Sequence, residues 1–216
     1  MRGKTKVHFG CGSNRLDGWI NVDLDRSCKL DMVADLRLNL PFRSQSVDYI
    51  HSEDFIEHLK LEEGIHFLEE CHRILKMGGA MRLLTPDLHQ IAKRYVTRDE
   101  EFIKQFEATI ASLGLHPLKT RKGAEVFNAG MRWGGHTFLY DGEILTSILE
   151  KIGFESKKAH FNSSAVAELR GIDVRSPETG VSLYYDCYKG KPIEKGSALS
   201  WLCHTLRSMK WLWMRR

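Results

Sequence analysis

The stretch Val7-His8-Phe9-Gly10-Cys11-Gly12-Ser13-Asn14, with Trp19-Ile20-Asn21-Val22-Asp23 close behind it, decides the reading of this chain. A short apolar strand runs into two glycines, and a second strand then ends in a carboxylate. An open α/β sheet builds a nucleoside site this way, at the carboxyl edge of its strands. Glycines let a ligand lie against bare backbone. An ionised Asp23 can accept hydrogen bonds from both hydroxyls of a ribose.

The spacing Gly10-x-Gly12 is not the G-x-G-x-x-G of a dinucleotide fold, and no G-x-x-x-x-G-K-[ST] occurs in the chain. The gap from Gly12 to Ile20 is too short for a helix of ordinary length, so no helix N-terminus is expected at a pyrophosphate. A nucleoside cofactor without phosphate fits better. S-adenosylmethionine (SAM) is such a molecule.

Outward from that stretch, β-formers and breakers alternate with helical spacing. Leu30 to Leu36 reads as a third strand carrying Asp35, and Val47 to His51 as a fourth after the break Leu40-Pro41-Phe42. Glu53, Asp54, Glu57 and His58 follow its carboxyl end. Leu61 to Met77 reads as a helix, with Leu61, Ile65, Leu68, His72 and Leu75 on one stripe. Lys76 and Gly78-Gly79 are expected to end it. Met81 to Thr85 is the fifth strand, closed by Pro86-Asp87. Such alternation predicts an α/β, doubly wound, mostly parallel sheet.

These residues resemble the class I SAM-dependent methyltransferases. Gly10-Cys11-Gly12, Gly18 to Asp23, Leu40-Pro41-Phe42, Glu57-His58-Leu59 and Arg73 to Gly79 stand in the order found in that family. The match is closest to a bacterial branch associated with glycan and cell-envelope biosynthesis. It continues through His136 to Tyr140, Leu149 to Phe154 and Ser182 to Asp186, covering roughly residues 5 to 190. Met77 departs from it, standing where Pro usually precedes the paired glycines.

The resemblance implies a Rossmann-like sheet of seven strands with an insertion after strand 5. It implies SAM as cofactor, with Gly10 and Gly12 admitting the methionine part, Asp23 holding the ribose hydroxyls and Asp35 near the adenine amino group. Ser52 and Glu53 would line the pocket. Taken singly, Asp23 also reads as a strand-end cap and Asp35 as serving a turn at Leu36-Arg37. The expected activity is methyl transfer to an acceptor, with a hydroxyl of a glycan or lipid-linked saccharide favoured. A small-molecule N-methyltransferase and a catalytically silent SAM-fold binding module are the alternatives. A hydroxyl acceptor needs a base. His136, in Gly134-Gly135-His136, is the first candidate, with Asp87 and His58 behind it. His58 also reads as a residue that only hydrogen-bonds its neighbours. No H-x-x-x-H or paired-carboxylate spacing calls for a metal, although a divalent cation stays an alternative.

Composition agrees with one soluble domain. The chain has 216 residues, 42% of them hydrophobic, and a formal net charge of +4 that is too slight to imply nucleic acid. Five scattered cysteines without C-x-x-C spacing suggest reduced thiols and a cytoplasmic protein. Residues 1 to 6 are polar, so no secretory leader is expected. The methyltransferase domain is expected over 1–190, with 88–135 as an insertion on the acceptor side, including a helix from Asp99 to Leu113. Residues 191–216 read as a linker and a C-terminal amphipathic helix. That tail holds three of the five tryptophans, with Arg207, Lys210, Arg215 and Arg216. It is too short and too charged to span a bilayer. It suits either peripheral contact at the inner face of a membrane or docking on the domain or a second subunit. The oligomeric state is not legible.

Overall fold

The computed structural model describes residues 3–105, 123–132, 135–175 and 181–190. Its strands are β1 (Lys6–Phe9), β2 (Ile20–Asp23), β3 (Met32–Val33), β4 (Val47–Glu53), β5 (Leu75–Pro86), β6 (Phe154–Lys158) and β7 (Ser182–Lys189). They form one sheet in the order β3-β2-β1-β4-β5-β7-β6. The pairings from β3 to β5 are parallel, and β7 runs antiparallel between β5 and β6. The helices are α1 (Leu61–Ile74), α2 (Leu88–Thr97), α3 (Gly123–Arg132) and α4 (Gly142–Ile152). The sheet is thus the doubly wound, mostly parallel one that the sequence predicts. The order turns back between β1 and β4, and a ligand crevice opens at such a switch point.

The apolar strand residues Val7, Phe9, Val22, Ile50, Met81 and Leu83 bury fully against Ile65, Leu68 and Leu149 of the helices. The buried face of α1 is wider than the five-residue stripe and includes Phe67, Cys71 and Ile74. Glu70, a carboxylate outside that stripe, is buried as well. Its carboxylate accepts from Leu40 N at 2.7 Å and from Arg73, whose guanidinium also donates to the Leu40 and Phe42 carbonyls. The Leu40-Pro41-Phe42 break is fastened to α1 in this way.

Two boundaries differ from expectation. The third strand is only Met32–Val33, because the aspartates around it take up neighbouring backbone: Asp31 accepts from Asn21 N, and Asp35 from Arg37 N. Helix α1 stops at Ile74 rather than Met77, and Leu75 already pairs with Val47. Gly78-Gly79 therefore lie inside β5, beside the register shift between Val47 and Tyr49. A Cβ on Gly79 would stand 2.9 Å from the Asp48 and Lys76 carbonyl oxygens, so the glycine serves close strand approach at a bulge and not helix termination.

Within the expected insertion, residues 100–105 are helical. Asp99 stands just before them, and residues 106–113 of the expected helix, with the tail 191–216, lie outside the described residues. Ile91 and Phe102 form a small cluster with Leu139, Val181, Phe127 and Met131, apart from the main core. Among the described residues no helix is long and apolar enough to cross a membrane.

Two buried imidazoles make stability depend on pH. Burial, reinforced by His51, holds His8 down at about 3, and burial with Lys189 nearby holds His72 at about 4. Above pH 6.5 neither state is charged at these positions. Below it the unfolded chain takes up protons at these two positions that the folded one refuses, so their contribution to stability falls until the folded values are reached, by up to about 1.4 kcal/mol per pH unit for each group. Between pH 6 and pH 4.5 His72→Leu is expected to lose less stability than the parent chain, by at most about 1.4 kcal/mol per pH unit. Urea unfolding at both pH values measures it, and an unchanged slope would show that His72 is charged in the fold.

Candidate active site

Strands β1 and β4 deliver the site, because their carboxyl ends lie side by side, with Phe9 opposite Ser52. Gly10 (φ +65°) and Gly12 (φ +48°) carry the turn that follows β1 in left-handed conformations. Their roles differ. A Cβ on Gly10 would collide with Phe55 at 2.6 Å, whereas a Cβ on Gly12 would meet nothing within 4 Å. Gly10 therefore makes room for protein, and the open space expected for a ligand lies at Gly12.

A cavity of about 270 Å³ opens at this edge, lined by His8, Gly10, Cys11 and Asn14 on one side and Glu53, Asp54, Val174 and Arg175 on the other. Glu53 is its best-held anion. It accepts from His51 Nε2 at 3.3 Å and from the Val174 N–H at 3.0 Å, and also from the Arg175 N–H. Burial would raise its carboxyl, but these donors outweigh burial and hold it below the ordinary range. Asp54, at φ +50°, pairs with the Arg175 guanidinium. Burial nevertheless raises its carboxyl.

Of the expected cofactor residues, Gly10 and Glu53 line this cavity; Gly12, Asp23, Asp35 and Ser52 do not. Asp23 supports the glycine turn: its Oδ2 accepts from Gly12 N at 2.8 Å, and its Oδ1 from Leu24 N and Asp25 N. Asp35 closes the turn onto Arg37, accepting from its backbone N–H and, at 2.7 Å, from its guanidinium. Ser52 is fully buried, and its Oγ has no hydrogen-bond partner.

The expected catalytic residues divide. Asp87 caps α2, with Oδ1 accepting from His89 N at 2.9 Å and Gln90 N at 3.4 Å. His58 and His136 meet. The Glu57 carbonyl accepts from Thr137 N at 2.7 Å and Phe138 N at 3.1 Å, and the His58 carbonyl accepts from Thr137 Oγ1 at 2.8 Å. These bonds fasten the segment after Gly135 against the turn after β4 and bring the two imidazoles edge to face, with centroids 5.0 Å apart. Glu57, which the sequence reading did not single out as a site residue, joins them. One ligand atom from each of Glu57, His58 and His136 lies within 4.8 Å of the others. Glu57 is fully buried. Its Oε2 accepts from Thr85 Oγ1 at 3.0 Å, while Oε1 has no hydrogen-bond partner. Burial, then the Asp54 charge, pushes its carboxyl up to about 8.

SAM carries a cationic sulfonium, an ammonium and a carboxylate on a nucleoside. The cavity answers these with the Glu53 and Asp54 carboxylates, the Arg175 guanidinium and the bare backbone of Gly10. The residues present fit the cofactor.

Comparison with known proteins agrees. The methyltransferase domain family model matches residues 7–83. No curated protein matches the sequence. Among solved structures, a chain of the complex between the Haloferax volcanii Trm112 methyltransferase activator and a methyltransferase superposes with a TM-score of 0.53 at 13% identity, over 89% of this chain and 84% of that one. The Bacillus subtilis YcgJ protein gives 0.52 at 13% identity, over 88% and 94%. A SAM-dependent methyltransferase from Archaeoglobus fulgidus gives 0.50 at 18% identity, over 87% of each chain. At such identities these likenesses speak for the fold; the matched domain speaks for the activity. The chain is a SAM-dependent methyltransferase of the class I fold, with S-adenosylmethionine as its cofactor.

Proposed function

We propose that the chain methylates a hydroxyl of a glycan or lipid-linked saccharide, with the insertion 88–135 roofing the acceptor. SAM supplies a methyl group already activated on its sulfonium, so the protein's tasks are alignment, exclusion of water and removal of the acceptor proton. The observation that carries the reading is the meeting of Glu57, His58 and His136, within electrostatic reach of Asp54 of the cavity lining. An amine acceptor attacks with a free lone pair and makes little use of such groups, whereas a hydroxyl oxygen must shed its proton. The resemblance to a glycan-associated branch selects the saccharide. Acceptor profiling with methyl-labelled SAM tests the reading: label should appear as O-methyl on saccharide or lipid-linked saccharide. Transfer to amines alone would establish the N-methyltransferase alternative, and SAM binding without any transfer the silent module.

On the cofactor side, Asp23 serves the ribose as well as the glycine turn. Asp23→Ala is expected to lower SAM affinity roughly ten- to a hundredfold, through lost charge-assisted hydrogen bonds worth about 1.5–3 kcal/mol. Calorimetry showing unchanged affinity in a folded variant would remove Asp23 from the ribose.

Residues 197–216 bring the enzyme to the inner face of a membrane, where lipid-linked acceptors lie. Apolar burial of tryptophan and leucine at ~25 cal/mol per Å² supplies most of the attraction. Arg207, Lys210, Arg215 and Arg216 add about 1 kcal/mol each on anionic lipid. A chain ending at Ile193 is expected to keep SAM binding and lose co-sedimentation with anionic liposomes. Should the full chain ignore such liposomes at low salt, or should truncation dissociate an oligomer, docking on protein takes the place of membrane contact.

A further inference from the structure

Glu57, His58 and His136 have the composition of a metal site as well as that of a base cluster. We propose that these three side chains hold a divalent first-row transition ion, and that its remaining coordination positions take hydroxyl oxygens of the acceptor. The second clause rests on the saccharide reading above; the first does not.

The argument begins with Glu57. Its carboxylate is fully buried, Thr85 occupies one oxygen, and the other has no hydrogen-bond partner. A buried carboxylate oxygen without a partner is costly, and a cation is its natural complement. Two imidazoles stand next to it, and ligand atoms of all three residues lie within 4.8 Å of one another. Around an ion at about 2.1 Å, ligand atoms stand roughly 3–4 Å apart, so small side-chain rotations close the set. Two nitrogens and one oxygen favour manganese, iron, cobalt, nickel or zinc over calcium and magnesium, which prefer oxygen alone. Three protein ligands also leave positions open.

The surroundings are arranged as ligand supports are. Thr85 Oγ1 fixes the Glu57 carboxylate, and Thr137, by donating to the carbonyls of Glu57 and His58, fixes the backbone on both sides of the set. Such supports orient ligands and raise affinity. Asp54 acts electrostatically on both Glu57 and His136, while its partner Arg175 acts on Glu57 with the opposite sign. Asp54 also lines the cofactor cavity, so the ion would lie between that cavity and the acceptor side. An ion there would polarise a bound hydroxyl and, with two open positions, chelate a vicinal diol. His136 then acts as a ligand and not as a free base.

The full chain, stripped with EDTA and desalted, is titrated with MnCl2 by electron paramagnetic resonance and with CoCl2 by visible absorption. About one ion per chain is expected, with affinity reduced about tenfold or more in His58→Ala, His136→Ala and Glu57→Gln. Replacing exposed His89 by alanine should change nothing. SAM titration of each sample reports separately on the fold and the cofactor site. If an alanine variant fails to bind SAM, the glutamine variant at the same position replaces it. Absence of Mn²⁺ and Co²⁺ binding by the intact chain, or full retention in the His58/His136 double variant, overturns the site. The acceptor clause is tested by turnover: saccharide methylation should stop in EDTA and return with MnCl2. Saccharide methylation that persists in EDTA overturns that clause, as does transfer confined to amines; neither result touches the ion-binding measurement.

Discussion

Replacing Arg82 by methionine is expected to destabilise the protein by about 3–5 kcal/mol, the largest loss from any single side chain considered. Arg82 lies in the middle of β5 and is fully buried. Its guanidinium meets Asp173 at 2.6 and 3.0 Å, Asp186 at 3.0 Å and the His160 carbonyl at 2.7 Å. The two carboxylates are satisfied in turn, Asp173 by Asn162 N and Asp186 by Ser164 Oγ. Without the cation both would stay buried with their charges uncompensated, which costs far more than the pair itself contributes. Urea unfolding measures the difference. A loss below about 1 kcal/mol would mean that water reaches the aspartates when Arg82 is gone. SAM affinity should fall as well, since Asp173 is the residue from which Val174 and Arg175 reach the cofactor cavity.

His136→Ala is expected to lower turnover on a hydroxyl acceptor by about 10²–10⁴ while leaving SAM affinity nearly unchanged. The asymmetry follows from position. His136 is absent from the lining of the cofactor cavity, and the bonds that place it run through the backbone of Thr137 and Phe138, which the substitution keeps. Turnover with labelled SAM and calorimetry on the same sample check both halves. Unaltered turnover would return His136 to a structural role and leave the acceptor proton to other groups.

Much of this architecture was legible because it is local. The glycine turn after β1, the carboxylate ending β2 and the run of strands to β5 are written in contiguous residues, each with its own period or breaker. The failures have a common cause. Gly78-Gly79 read as a helix stop because the backbone that Gly79 approaches, the Asp48 carbonyl of β4, is distant in sequence; only the pairing of Leu75 with Val47 shows that the strand begins before them. Asp23, Asp35 and Asp87 all hold nearby backbone N–H groups, as the cap and turn readings of the first two allowed, a use that short polar side chains at turns share with binding sites. Glu57 was read as one of the groups after β4 and given no role in the site, because its neighbour His136 comes from a segment 79 positions further on, whose contacts no spacing encodes. Arg175 carries no local signal at all.

The way Glu53 is held has a consequence for biosynthesis. Its carboxylate takes the N–H groups of Val174 and Arg175, which reach it from the far end of the chain, anchored by Arg82 through Asp173. A ribosome that has released β1 to β5 has released the glycine turn and the carboxylates but no second wall for the cavity. Contacts of such long sequence separation form late. The nascent enzyme should therefore be unable to capture SAM until β7 has inserted beside β5, and cofactor retention becomes a readout of a closed sheet.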